Sequence, residues 1–209
     1  LYIIAIVAFI LLAAGCQTNP QLKELAETYY NLGNAYVELE EWGKAETAYA
    51  RSLELNPDMY RAEYNMARVH IHSENYKSAI KILEKLLEDD PENIVFLETL
   101  AWAELERGHI EKAESIYRSV LNKDPANCNV RYNLAVVLSE RGENNEAYSI
   151  LLECVYTEKA DADVFLKMGD IEKKLEWGSG VAWFEKASQK EPRNESALKQ
   201  LASAYEQEE

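Results

Sequence analysis

The apolar positions of this chain fall into two alternating helical patterns. Tyr29, Leu32, Gly33 and Tyr36 stand at i, i+3, i+4 and i+7, one face of a first helix, A. After a polar turn near Glu40 and Glu41, Ala45, Tyr49 and Ser52 mark the inner face of a second helix, B. Pro57 ends helix B, because it has no N–H to donate and pushes Asn56 out of the helical region. One period later the same offsets hold Glu63, Met66, Ala67, His70, Ala79, Leu83, Leu86 and Pro91. Pro57, Pro91 and Pro125 are 34 residues apart, and Pro192 follows 67 residues after Pro125. A period of this length predicts a stacked array of helical hairpins. Gly33 and Ala45 lack bulk, so the two backbones can cross closely there while aromatic residues fill the wider ends.

These residues resemble the tetratricopeptide repeat (TPR) family over most of the chain, with several matching positions in each unit. The resemblance implies an all-α, right-handed TPR solenoid of about five helix-turn-helix repeats with a C-terminal capping helix. The units run over residues 26–59, 60–93, 94–127, 128–161 and 162–194, and the cap over residues 195–209. Gly33, Ala67, Ala101, Ala135 and Gly169 are the expected A–B crossings. The third unit keeps Ala113, Tyr117 and Pro125, and the fourth keeps Leu134, Ala147 and Leu151 with Lys159 at the proline offset. In the fifth, Phe184, Ala187 and Pro192 follow a frame one residue shorter, with the loss in the turn around Glu176 to Gly180. Leu198, Leu201, Ala202 and Tyr205 then repeat the helix A face with no helix B to follow. This last helix is expected to cover the open apolar end of the array, as terminal repeats must.

At the other end, Leu1 to Gly15 is an unbroken apolar run that stops at Cys16. It is short of the ~20 residues a spanning helix needs, and it fits the core of a secretory signal with small residues before the cut. Cys16 then resembles the lipidated cysteine of a bacterial lipoprotein. On this reading residues 1–15 are the signal peptide, Cys16 carries fatty acyl chains such as palmitate, and residues 16–25 hold the array to the membrane as a tether. The other reading is an uncleaved N-terminal anchor. Either one puts the repeats in the bacterial cell envelope, facing the periplasm or the cell surface.

Composition narrows the class. The chain is 47% apolar with only 8 glycines and no strand-like alternation, as suits a helical solenoid. Its net charge of −15 argues against nucleic acid, whose phosphates call for a basic footprint, and against electrostatic adhesion to anionic lipid. No phosphate loop, nucleophile elbow or Cys-x-x-Cys occurs, and His70 and His72, two apart, do not share a helix face. We therefore expect no catalytic residues, no metal, no cofactor and no small-molecule substrate.

In the TPR family the A helices line a groove for an extended peptide or a partner helix. The offsets implied to face it carry Tyr30, Asn31 and Asn34, then Arg61, Tyr64, Asn65 and Arg68, then Thr99 and Trp102, then Asn129, Tyr132 and Asn133, and finally Lys167. A Tyr-Asn pair recurs at 30–31, 64–65 and 132–133, and amides can bond a peptide backbone as donor and acceptor. The alternative is that these side chains only pack between neighbouring A helices. The carboxylate clamp of chaperone-binding relatives is incomplete, with Tyr30 in place of a lysine and Val95 and Thr99 in place of a lysine and an arginine. Tyr64, Arg68 and Trp102 are the expected binding centre, with Arg68 and Trp102 at equivalent offsets. The expected function is a membrane-anchored scaffold that docks envelope proteins. Its alternatives are a surface adhesin and the anchor part of a longer enzyme.

Cys128 and Cys154 lie seven residues outside the crossing pair Ala135 and Ala147, so they face each other at the end of the fourth hairpin away from its turn. A disulfide needs Cα atoms ~4.4 to 6.8 Å apart, whereas helix axes usually lie ~8 to 10 Å apart, so spacing alone leaves bonded and free forms open.

Overall fold

In the computed structural model, residues 19–157 and 159–208 are described. The apolar run and Cys16 lie outside them. The described residues form eleven helices and no strand. These are α1 (Pro20–Glu38), α2 (Trp42–Leu55), α3 (Tyr60–His72), α4 (Tyr76–Asp89), α5 (Ile94–Glu106), α6 (Ile110–Lys123), α7 (Cys128–Glu140), α8 (Asn144–Val155), α9 (Ala162–Lys174), α10 (Val181–Lys190) and α11 (Glu195–Glu208). The chain divides after Phe96 into two compact units, each built from helical hairpins. Among the described residues no helix is long and apolar enough to cross a membrane.

Helix α1 differs from its expected start. It begins at Pro20, inside the stretch expected to be a tether, because the Asn19 side chain accepts from the Gln21 N–H at 3.0 Å and Pro20 supplies a preset first helical residue. The later A helices have the same kind of start. Asn93, Asn127, Asp161 and Asn194 each accept from the N–H three residues on, at 3.0 to 3.3 Å. The A-to-B turns also repeat. Glu40, Glu74, Gly108, Gly142 and Glu176 share one offset and one left-handed conformation, with φ between 57° and 82°. Each is followed by an N–H that reaches back five residues, as Glu41 does to the Tyr36 carbonyl at 2.9 Å and Glu143 to Leu138 at 2.8 Å. This is the bond that closes a helix C-terminus over a left-handed residue.

In unit 1, Gly33 lies against Tyr49 of α2 so closely that a Cβ on it would come within 2.5 Å of the ring. Ala26, Ala45, Met59, Ala62 and Val69 complete the buried cluster around Tyr49. In unit 2, Ala101, Ala135 and Gly169 are buried at their crossings, and Gly169 meets Phe184 as Gly33 meets Tyr49. The irregular fifth hairpin has a physical cause here. Gly180 takes the place that Ala45 holds in the first hairpin, at φ 78°, where a Cβ would lie 2.9 Å from the Gly169 carbonyl oxygen. Helix α10 starts after it and is only 10 residues long.

The terminal helix covers its neighbour with a different face from the one expected. Ala197 and Ala204 are buried, Ala197 against Ala162 and Ala187, while Leu198 and Tyr205 are 47% and 46% exposed. Leu198 and Tyr205 lie on the face where a following helix B would pack, so α11 caps through its small residues instead.

Cys128 and Cys154 are joined in a disulfide with Cα atoms 5.6 Å apart. Their offsets are those of Ala26 and Ser52 in the first unit, where the Ser52 hydroxyl donates to the Ala26 carbonyl at 2.8 Å. The two helices of a hairpin therefore come together at this end wherever both residues are small. That convergence brings the cysteines within bonding range.

Candidate functional site: two polar pockets on the A helices

In unit 1 the expected groove residues form a connected set. Asn34 on α1 and Asn65 on α3 share one hydrogen bond, Asn65 Nδ2 to Asn34 Oδ1 at 2.9 Å. The Tyr49 hydroxyl donates to the same Asn34 oxygen at 2.7 Å, and Asn65 Nδ2 lies 3.4 Å from the Tyr30 hydroxyl. Burial raises the Tyr49 pKa, opposed by its bonding to Asn65, so the phenol stays a donor. These bonds use the Asn34 oxygen and the Asn65 nitrogen. They leave the Asn34 amide N–H groups and the Asn65 carbonyl without a protein partner among the described residues. One free donor and one free acceptor, held in place from behind, match the two polar groups of a peptide unit.

The two asparagines line a pocket of about 160 Å³ with Val37, Glu38, Trp42, Arg68 and His72. Trp42 and His72 stack at 4.3 Å and 7°, forming an aromatic wall. Arg68 is exposed, and its guanidinium has no acid partner among the described residues. Arg61, in contrast, is engaged with Glu27 at 2.6 Å and lies 4.9 Å over the Tyr30 ring. Tyr64 turns to Phe96, ring centres 5.2 Å apart, and does not line this pocket. Asn31 is exposed on α1.

Unit 2 holds the other expected residues in a different chemical setting. Asn129, Tyr132 and Asn133 of α7 line a pocket of about 340 Å³ with Glu98, Asp161, Asp163 and Val164. Burial raises the Glu98 pKa, with Asp124 adding to it and the Asn127 amide opposing through a 2.7 Å bond. Asp163 is exposed, and partial desolvation with Asp161 and Glu191 nearby raises its pKa. Tyr132 is pushed up by burial and by Asp163, Asp161 and Asp170. Trp102 is 39% exposed on α5, Thr99 is half-buried, and Lys167 is half-buried one turn beyond Asp163. Arg68 and Trp102 belong to different units.

Sequence reasoning missed two parts of these pockets. Tyr49 sits at a helix B offset that reads as core, yet its hydroxyl passes beside Gly33 to the A-helix face; a tyrosine opposite a crossing glycine is the signal. Asp161 and Asp163 fall outside the groove offsets; Asp161 is the N-cap of α9, and both carboxylates are exposed in the lining of the unit 2 pocket.

The TPR family model, described as tetratricopeptide repeat, matches residues 36–103 and 104–171, more than half of the chain. No curated protein matches the chain in sequence. Among solved structures it is similar to TTC0263, a thermophilic TPR protein of Thermus thermophilus, with 20% identity, TM-score 0.68, and 86% of this chain and 98% of that chain covered. It is similar to pilF of Pseudomonas aeruginosa at 20% identity and TM-score 0.73, covering 90% and 87%. YrrB, described as a TPR protein with an unusual peptide-binding site, matches at 23% identity and TM-score 0.60, covering 81% and 88%. With two family matches, helices in register with the 34-residue period and solved TPR proteins of the same fold, the chain belongs to the tetratricopeptide repeat family.

Proposed function

We propose that this protein is a non-catalytic scaffold that binds an extended segment of a partner protein along its A helices. The observation that carries this is the Asn34–Asn65 pair, which is braced by Tyr49 and Tyr30 and keeps one donor and one acceptor open. Both asparagines are half-buried and line the pocket, so their unused amide groups stay accessible to an incoming peptide unit. Arg68 beside the pair supplies a charge for a partner's carboxylate, and the Trp42–His72 wall supplies apolar area. The peptide-binding description of YrrB agrees with this use of the fold. The test is a pull-down with Asn34→Ala/Asn65→Ala as bait. The double variant should lose the partner the wild type retains while keeping its helical circular dichroism; unchanged capture overturns the reading.

We further propose that the scaffold works in the bacterial envelope, anchored by lipid on Cys16. The disulfide supports an oxidising compartment, since such bonds are rare where thiols are kept reduced. The small residues Ala13, Ala14 and Gly15 before Cys16 support cleavage there. Cys16→Ala should accumulate unprocessed protein that no longer partitions into detergent as the wild type does. Normal processing of that variant would reject the anchor.

A further inference from the structure

The two pockets differ in charge. The unit 1 pocket is lined by one arginine, Arg68, and one carboxylate, Glu38, whereas none of the residues lining the unit 2 pocket is cationic and three are carboxylates. We propose that the pocket of Glu98, Asn129, Tyr132, Asn133, Asp161 and Asp163 receives a lysine or arginine side chain from the bound segment. The proposal rests on the scaffold reading above and names the chemistry of its partner.

Four features bear on this. Asp163 is exposed at the pocket, has no protein partner among the described residues, and is raised by partial desolvation and by its neighbours Asp161 and Glu191. An incoming cation would relieve that repulsion. The Asn129 and Asn133 side chains likewise have no protein partner among the described residues, so their oxygens can accept from an ammonium or guanidinium. Tyr132 adds an aromatic ring to the same lining, a group that attracts cations.

The fourth feature is a buried phenol linked to the pocket through Glu98. Tyr117 is fully buried, and its hydroxyl has no hydrogen-bond partner among the described residues. It stands two repeats beyond Tyr49, whose hydroxyl crosses to the A-helix face and ends on Asn34. At Tyr117 the Asn34 offset is occupied by Trp102, which supplies no acceptor. Glu98 and Glu106 are the charges that act on this hydroxyl, and Glu98 lines the pocket. The unsatisfied phenol and the pocket thus share Glu98, although Tyr117 itself does not line the pocket.

A metal ion suits these residues less well. Asp161 caps α9 by accepting from Val164 N–H, and Glu98 holds Asn127, so two of the three carboxylates already have work. No group of three or more His, Cys, Asp or Glu residues converges as metal ligands among the described residues. The pocket volume, about 340 Å³, is also far larger than an ion needs and accommodates a long side chain.

The test uses immobilised full-length protein and four soluble libraries of eleven-residue peptides, each random except for a central Lys, Arg, Glu or Ala. The Lys and Arg libraries should be retained about tenfold better than the Ala library, the range of a charge-assisted hydrogen bond. Asp163→Asn and Glu98→Gln should each reduce that preference without lowering retention of the Ala library. Equal retention of Lys, Arg and Ala libraries leaves the scaffold reading standing and overturns the cation pocket. A preference that survives both substitutions also overturns it, as does a pocket that responds to calcium alone. If no library is retained above the Asn34→Ala/Asn65→Ala protein, the scaffold reading itself fails.

Discussion

Asn65 is half-buried, bonds both Asn34 and Tyr30, and still presents its carbonyl to the pocket. Asn65→Ala should therefore weaken partner binding by about tenfold with little change in melting temperature, since one hydrogen bond to a peptide is worth ~1 kcal/mol or more. A binding constant within twofold of wild type would contradict this. Glu104 shows the opposite case, a charged residue with a structural role. Its carboxylate is 1% exposed and paired with His109 and Lys112, both at 2.6 Å. Burial alone would raise its pKa, but the bonds and charges of Lys112 and His109 outweigh it, and the net shift is downward. A depressed folded-state pKa means the stabilisation is complete above the unfolded carboxylate value of ~4.3 and is lost as pH falls through the folded value. Glu104→Gln should cost ~1 to 3 kcal/mol near neutral pH. The gap in melting temperature between it and wild type should shrink in acid; a gap that stays constant to pH 2 would contradict the ion-pair account.

At the scale of elements, the A-to-B turns carry a cost that the repeat tolerates. Glu40, Glu74 and Glu176 are exposed glutamates in the left-handed region, at the offset where Gly108 and Gly142 sit. That conformation costs a non-glycine residue ~1 to 2 kcal/mol, so Glu74→Gly should stabilise unit 1 by ~0.5 to 1 kcal/mol after the entropy of glycine is counted. Chemical denaturation measures it, and destabilisation would show that the glutamate makes a compensating contact. The crossings behave differently. Gly169→Ala should destabilise by ~1 to 3 kcal/mol, because its Cβ would enter the Phe184 ring. The crossings and the helix period were legible in the sequence, since glycine or alanine at a fixed offset has one geometric use. The start of α1 was not, because the Asn19–Pro20 cap lies outside the repeat and reads as tether. The pockets were half legible. Offsets gave Asn34, Asn65, Asn129 and Asn133, but which amides stay open depends on Tyr49 reaching through from helix B, and periodicity carries no such information. The disulfide lay between these cases: facing followed from spacing, but bonding required the convergence also made at Ala26 and Ser52.

On the scale of the molecule, two TPR units are joined within α5 and each has its own polar pocket, one containing an unpaired arginine and the other acidic. The disulfide closes a loop of 26 residues in the second unit, which in the chain-entropy account is worth ~3 to 4 kcal/mol. Reduction should lower the unfolding free energy by that amount, read from the shift of the denaturation midpoint, and a midpoint indifferent to reductant would show the bond to be unformed in solution. The central claim is that the A-helix face is where the partner docks. Photocrosslinking in living cells tests it most directly, with a photoreactive residue placed at Arg68 beside the asparagine pair or at Lys81 on the exposed side of α4. The account predicts a discrete adduct from position 68 that disappears when Asn65→Ala is added, and none from position 81. The same adduct from both positions, or one from 68 that is indifferent to Asn65, would contradict it.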